Sequence, residues 1–263
     1  MERNPRFIRS LLVCFVPFRH LFRIEVTGLE RLPDRPCLLV ANHSIGAAFE
    51  IFGLLDAWER HFASRGGRAV YGLTHRLSFR VPILSSIMGR VGAIPATFES
   101  AKHWLKSSDV IVFPGGNWEV TRRFTLGNTV DFHGHRGWVW VAKESQVDIV
   151  PVAITGSYGT NPVLARSRLL AKISLFDFFL GLRWLPISVG QIVWAGLFYF
   201  FTRATLPTGV AMFGTFATFC LTPLVPIWPA KIKIRIGDSI SSTLPDAELE
   251  SEVLGVLHRE TAK

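Results

Sequence analysis

Two segments of the chain hold residues whose types and spacing suit acid–base chemistry. The first is Cys37-Leu-Leu-Val-Ala-Asn-His43-Ser-Ile-Gly-Ala-Ala-Phe-Glu50. An apolar run ends at Asn42-His43, a loop of small residues follows, and six residues separate His43 from Glu50. A histidine placed where a strand ends projects into a cleft, and a carboxylate on the next turn can hold one ring nitrogen while the other takes a proton. His43 and Glu50 then form a general-base dyad with no covalent nucleophile. The plain structural alternative is a capping histidine beside an unrelated surface glutamate.

The second segment, Asp109-Val-Ile-Val-Phe113-Pro114-Gly115-Gly116-Asn117-Trp118-Glu119, is another apolar run that empties into a glycine loop. Gly115 and Gly116 let backbone N–H groups approach a ligand closely. With Asn117 and Glu119 beside them, they suit an anion-binding concavity for phosphate or a developing oxyanion, the alternative being an ordinary tight turn. Arg122, Arg123 and Arg136 follow, and guanidinium pairs bidentately with the phosphates of coenzyme A or a lipid head group. Solvated surface arginines are the alternative there. His75, Arg76 and Arg80 precede the apolar stretch 81–88, at an acceptor side or at the start of a helix.

Other chemistries find no support. His133 and His135 stand two apart, unlike the i, i+4 pair of a helical zinc site, and no metal is expected. There is no Gly-x-Ser-x-Gly elbow and no phosphate loop ending in Gly-Lys-Ser/Thr.

The elements that must position these residues alternate. β-Branched runs at 37–41, 68–73, 91–95, 109–113 and 148–155 read as strands, and 46–61, 81–89, 99–107 and 136–145 read as helices. This alternation is that of a sheet with helical crossovers. The chain closes with an alternating strand at 231–236 and a helical tail over 245–259.

The 263 residues suffice for a substantial core. Hydrophobic residues make up 49% and charged ones 19%, which excludes disorder and, with a mean hydropathy of +0.30, points to contact with lipid. A formal charge of +9 favours polyanionic partners such as phospholipid head groups or phosphorylated cofactors. No helix-turn-helix, zinc finger or RNA-binding signature accompanies it, so no nucleic-acid partner is expected. Cys14, Cys37 and Cys220 are too few and too scattered for a disulfide framework, which fits a reducing environment.

Residues 1–24 do not read as a secretory signal, because Pro17 interrupts the apolar stretch and Arg19 follows it. Arginines 3, 6, 9, 19 and 23 interleave with apolar residues, as in a basic helix at a membrane interface or an ordinary helix packed on the domain. Between Trp184 and Ala230 the only charge is Arg203, which leaves uncharged runs of 19 and 27 residues. Each approaches the ~20 residues that span a bilayer core. Prolines and glycines interrupt both, so straight spanning helices are less secure than the hydropathy suggests. If the strand at 231–236 joins the same sheet as the earlier ones, the segment must enter and leave on one side of the membrane. This favours a re-entrant or two-helix hairpin turning near Arg203 over a single crossing; a hydrophobic lobe covering a lipid-binding tunnel is the alternative.

In this order and spacing the two segments resemble the glycerolipid acyltransferase superfamily, over about 36–160 and again at 229–240. There Asn-His opens the catalytic motif, an acid follows, and Phe-Pro-Glu-Gly-Thr-Arg is the usual later motif. The longer His43-to-Glu50 spacing and the Pro-Gly-Gly-x-x-Glu form at 114–119 look like the branch that includes transmembrane protein 68 and diacylglycerol acyltransferase-like proteins. The stretch from Asp131 to Trp138 and the Val-Pro-Val strand at 150–152 look like later segments of that branch.

The resemblance implies an α/β fold: a mixed, mostly parallel sheet flanked by helices, with a hydrophobic membrane-associated helical insertion near the C-terminal third. The expected layout is a basic amphipathic segment at 1–24, a catalytic core at 25–183, the insertion at 184–230, and a strand and helix at 231–263 that complete the core. It further implies O-acyl transfer from acyl-CoA or acyl carrier protein to a lipid hydroxyl. His43 and Glu50 would be catalytic, the 115–119 turn would hold the oxyanion, and no cofactor would be needed beyond the acyl thioester. The expected partners are a membrane lipid acceptor, that donor and the membrane surface, with the catalytic domain facing the cytoplasm. A non-catalytic lipid-binding protein of the same fold is the alternative.

Overall fold

A computed structural model describes residues 3–62 and 67–262 of the chain. Helix α1 (Pro5–Leu21) and strand β1 (Glu25–Thr27) precede β2 (Leu38–Ala41), α2 (Ala47–Phe62), β3 (Val70–Thr74), α3 (Pro82–Val91) and β4 (Ala93–Pro95). Next come α4 (Phe98–Trp104), β5 (Asp109–Val112), the single turn α5 (Gly116–Val120), α6 (Gly137–Ser145) and β6 (Ile149–Thr155). An apolar excursion follows: β7 (Val163–Ser167), α7 (Arg168–Ile173), α8 (Phe176–Leu180), β8 (Leu185–Ser188), α9 (Val189–Thr202) and α10 (Thr208–Leu221). Strand β9 (Lys233–Ile236) and α11 (Asp246–Thr261) end the fold.

Seven strands form one sheet in the order β1-β9-β6-β2-β5-β3-β4, in which only the β6–β9 pair is antiparallel. This is the α/β, mostly parallel mixed sheet expected from the sequence. The central strands β2 and β6 are buried throughout, as parallel strands covered on both faces must be. Side chains of β2 alternate between two cores. Leu39 and Ala41 face Trp58 and Phe62 of α2 and Ile8, Leu12 and Phe15 of α1. Leu38 and Val40 face Trp138 and Val139 of α6 and Leu249, Val253 and Leu257 of α11. The N-terminal segment therefore packs on the domain, and Arg19 of α1 pairs with Asp56 of α2 at 2.9 Å. Val13, Phe18 and Leu21 remain exposed on its outer side.

Parallel pairing of β2 with β5 and β6 brings the C-terminal ends of all three strands to one edge. In sheets of this kind that edge is where ligands bind. His43 follows β2, the Pro-Gly-Gly turn follows β5, and Tyr158 follows β6.

The uncharged runs do not form spanning helices. β8 takes up the start of the first run, and the break between α9 and α10 lies at residues 203–207. Each helix has 14 residues, a length of about 21 Å against a hydrocarbon core of about 30 Å. Among the described residues no helix is long and apolar enough to cross a membrane. Helices α9 and α10 pack against each other and Arg203 caps α9 at the turn, so the chain leaves the sheet after β6 and rejoins it at β9.

Candidate active site

At the end of β2, Asn42 faces inward. Its amide donates to the carbonyl of Ile154 on β6 at 2.8 Å and accepts from the N–H of the same residue at 2.7 Å. That clasp fixes the point at which the chain leaves the sheet, so the next residue, His43, emerges at the sheet edge. Its Nδ1 lies 2.7 Å from Oε2 of Glu50, in the first turn of α2. Glu50 is fully buried, and its second carboxylate oxygen accepts the hydroxyl of Ser44. Ser44 Oγ in turn accepts the N–H of Gly46 at 3.0 Å. With the carboxylate on Nδ1, that nitrogen carries the hydrogen and Nε2 is left as the acceptor. Phe113 lies against the imidazole, with ring centres 4.4 Å apart.

The loop after β5 supplies a second buried acid. Glu119, fully buried, accepts the backbone N–H of His43 at 3.0 Å. Burial pushes its carboxyl up to about 8, against the opposing pull of Arg122 and of the His43 N–H. From the end of β6, the phenol of Tyr158 donates to the carbonyl of His43 at 2.7 Å. The backbone of His43 is thus held at both polar groups from the segments that follow two other strands. Arg122 joins the assembly, donating to the Tyr158 oxygen at 2.6 Å, to the Gly127 carbonyl at 3.1 Å and to the Thr129 carbonyl.

Several residues expected to meet ligand do other work. Arg122 is buried, and its guanidinium is engaged by those carbonyls and the phenol rather than turned to a phosphate. Asn117 clasps the backbone of Trp184, donating to its carbonyl at 3.0 Å and accepting its N–H at 2.9 Å. Arg136 is exposed and pairs with Glu250 of α11 at 2.8 Å. Gly116 has φ +45° and open space where a side chain would stand, but its N–H is committed to the Phe113 carbonyl at 3.1 Å. Of the two glycines, only Gly115 is left for the oxyanion role. Gly115 itself is required by packing, since a Cβ there would come within 2.6 Å of the Glu119 Cβ.

Asp56 stands apart from the histidine, bound to Arg19 and Arg60 at 2.9 Å each. His75 caps the turn Arg76–Arg80, where its ring packs against Gly181. Nδ1 of His135 lies 2.9 Å from the carbonyl oxygen of Pro114.

Sequence reasoning missed Ser44 and Tyr158. The rule that selected His43 and the Pro-Gly-Gly turn, a polar residue just past a strand end, also selects Gly156-Ser157-Tyr158 after β6. It missed as well a cluster in which Arg166 of β7 stacks on Trp118 and Trp184, and Arg168 on Trp184.

A family model described as Acyltransferase matches residues 23–155, just over half of the chain. Uncharacterized proteins of Mycobacterium bovis and Mycobacterium tuberculosis are each 30% identical to it over 187 residues, 70% of this chain and 49% of theirs. An uncharacterized protein of Mycobacterium leprae is 30% identical over 172 residues, 65% of this chain and 46% of its own. The chain therefore spans about half the length of these curated relatives. Among solved structures, the 1-acyl-sn-glycerophosphate (LPA) acyltransferase PlsC from Thermotoga maritima superimposes with a TM-score of 0.53 at 17% identity. That superposition covers 97% of this chain and 78% of the other, a likeness of fold. The matched residues include the sheet edge that carries His43 and Glu50, and the chain belongs to the Acyltransferase family.

Proposed function

We propose that this chain is a membrane-associated O-acyltransferase that moves a fatty acyl group from acyl-CoA or acyl carrier protein to a lipid hydroxyl, such as that of a lysophospholipid or an acylglycerol. The observation that carries this reading is the 2.7 Å contact between His43 Nδ1 and the buried Glu50 carboxylate at the sheet edge. Nε2 of His43 takes the proton of the acceptor hydroxyl as its oxygen attacks the thioester carbon. The tetrahedral intermediate collapses with release of the thiolate, which recovers the proton from the imidazolium. General-base assistance of this kind contributes ~10²- to 10⁴-fold. The oxyanion role we assign to the backbone of the Pro-Gly-Gly turn, through Gly115.

Membrane association is part of the same proposal. Trp194, Phe200, Phe201, Met212, Phe213 and Trp228 are exposed on and beside the α9–α10 hairpin. Large apolar side chains exposed together on one hairpin support contact with lipid. A hairpin of this length fits shallow insertion, which would give a bilayer-borne acceptor a route to the sheet edge, with the catalytic domain on the cytoplasmic side. The longer His43-to-Glu50 spacing and the Pro-Gly-Gly turn support, within this proposal, a likeness to the branch that includes transmembrane protein 68 and diacylglycerol acyltransferase-like proteins.

The test is incubation of the detergent-solubilised protein with labelled acyl-CoA and a total lipid extract, with the products identified by mass spectrometry. A labelled acyl ester of a lipid hydroxyl supports the reading. Tight lipid binding with neither thiol release nor labelled ester contradicts it and leaves a lipid-binding protein of the same fold.

A further inference from the structure

Beside the dyad lies a cationic cluster that the acid–base chemistry does not use. The Arg166 guanidinium carbon is 3.5 Å from the ring centre of Trp118 and 4.7 Å from that of Trp184. The Arg168 guanidinium carbon is 4.4 Å from the ring centre of Trp184. Arg166 also donates to the Trp118 carbonyl at 3.3 Å. Burial holds the Arg166 pKa below its ordinary value, and the charges of Arg123 and Arg168 lower it further.

Among the described residues, no carboxylate forms an ion pair with Arg123, Arg166 or Arg168. The acid that faces the group is Asp131, and its carboxylate is engaged elsewhere. It accepts the indole N–H of Trp118 at 3.1 Å and the backbone N–H of His133 at 2.7 Å. The His133 ring stacks on Trp118 with centres 3.8 Å apart.

Three guanidinium groups gathered with so little counter-charge repel one another, an arrangement that an arriving anion relieves. Stacking on indole fixes the guanidinium planes of Arg166 and Arg168 and leaves N–H groups along their edges, the geometry that grips phosphate oxygens. The cluster is also tied to the site. Trp118 directly precedes Glu119, which holds the His43 N–H, and Trp184 is clasped to Asn117 of the same turn. Next to Arg168, the exposed Leu169, Ile173, Phe178 and Phe179 of α7 and α8 form an apolar border. A cationic patch with such a border suits a phosphate attached to an apolar chain.

We propose that Arg166 and Arg168, with Arg123, bind a phosphate group carried by one of the two substrates. The proposal rests on the acyltransferase reading, in which the donor can carry the phosphates of coenzyme A and the acceptor that of a lysophospholipid.

The test is calorimetric binding in detergent micelles with four probes: coenzyme A and its phosphate-free fragment pantetheine, and lysophosphatidic acid and its phosphate-free counterpart monoacylglycerol. Wild type is compared with R166Q/R168Q and with Arg168→Gln alone, whose exposed side chain keeps the test valid should the double variant fold poorly. One phosphate-bearing probe should bind the double variant about 10- to 100-fold more weakly, and the single variant less weakly than that, with its phosphate-free counterpart unchanged. A loss with coenzyme A assigns the site to the donor, and a loss with lysophosphatidic acid assigns it to the acceptor. The proposal is overturned if wild type prefers neither phosphate-bearing probe to its counterpart, or if folded variants lose no affinity selective for phosphate. Arginine-dependent phosphate binding in a protein that transfers no acyl group would sink the reaction and keep the site. Active transfer with arginine-independent binding would do the reverse.

Discussion

Glu119 accepts the backbone N–H of His43 at 3.0 Å, linking residues 76 positions apart in the sequence. Tyr158 donates to the carbonyl of the same histidine at 2.7 Å, so the peptide groups on both sides of the imidazole are fixed before any substrate arrives. Orienting a reacting group in advance removes part of the entropic barrier to reaction, and here buried groups from the segments after β5 and β6 supply the orientation.

Tyr158 therefore acts as a positioning residue. Tyr158→Phe keeps the ring and removes the hydroxyl, leaving the His43 carbonyl and one Arg122 donor without that partner. It should cost about 1 kcal/mol of stability and lower kcat roughly tenfold with little change in KM. Steady-state kinetics across pH checks this. A raised KM at unchanged kcat would show that the phenol serves binding instead.

Glu119 should make stability depend on pH. The folded protein holds a carboxyl proton up to about 8, whereas an unfolded chain releases it near the ordinary value of 4.5. The native state thus binds more protons across that window, and stability falls as pH rises through it, by up to about 1.4 kcal/mol per unit. Glu119→Gln retains an acceptor for the His43 N–H and should flatten this slope. Urea denaturation of both proteins at pH 5 and pH 8 measures the difference, and parallel slopes would mean that Glu119 is ionised throughout.

The adjacent glycines should respond differently to a methyl group. Gly115→Ala places Cβ against the Glu119 side chain, so it should cost about 1–3 kcal/mol and disturb the bond to His43, with loss of activity. Gly116→Ala meets open space and only the strain of its positive φ, about 1–2 kcal/mol, with activity largely kept. Thermal denaturation paired with activity assays separates the two effects.

Much of this arrangement was legible in the sequence. Strands β2 to β6 and β9 announce themselves as β-branched runs bounded by turn residues, and the strand-end position of His43 follows directly from one of them. The three-residue β1 is too short to show a period, and β7 and β8 pair with each other across two intervening helices rather than joining the main sheet. Arg122 looked like a surface ligand because arginine is rarely buried, and only the fold reveals the carbonyls of Gly127 and Thr129 that receive it. Asn117 misled for a related reason: its amide suits a ligand as well as a peptide, and its partner Trp184 lies 67 positions away. The uncharged runs had the composition of spanning helices, but Pro186 lies within β8 and Pro207 caps α10, so neither run is continuous helix.

The α9–α10 hairpin should govern attachment to membranes. Phe201 and Phe213 are 70% and 72% exposed, and burying one such side chain in lipid contributes roughly 1.5–3 kcal/mol. Replacing both by glutamate should weaken co-sedimentation with phospholipid vesicles at least tenfold while turnover of a short-chain, water-soluble acceptor is unchanged. Equal sedimentation of variant and wild type would move the contact to another face, such as that of α1.

The most direct measurement follows thiol release from acyl-CoA in the presence of a lipid acceptor for wild type, His43→Ala and Glu50→Gln. With the Nδ1 contact as described, His43→Ala should fall by ~10²- to 10⁴-fold. Glu50→Gln should also lose turnover, at nearly unchanged donor KM, because a neutral amide no longer fixes the ring in the productive tautomer. Wild-type rates of acceptor-dependent thiol release from folded His43→Ala would contradict the general-base role at the centre of this reading.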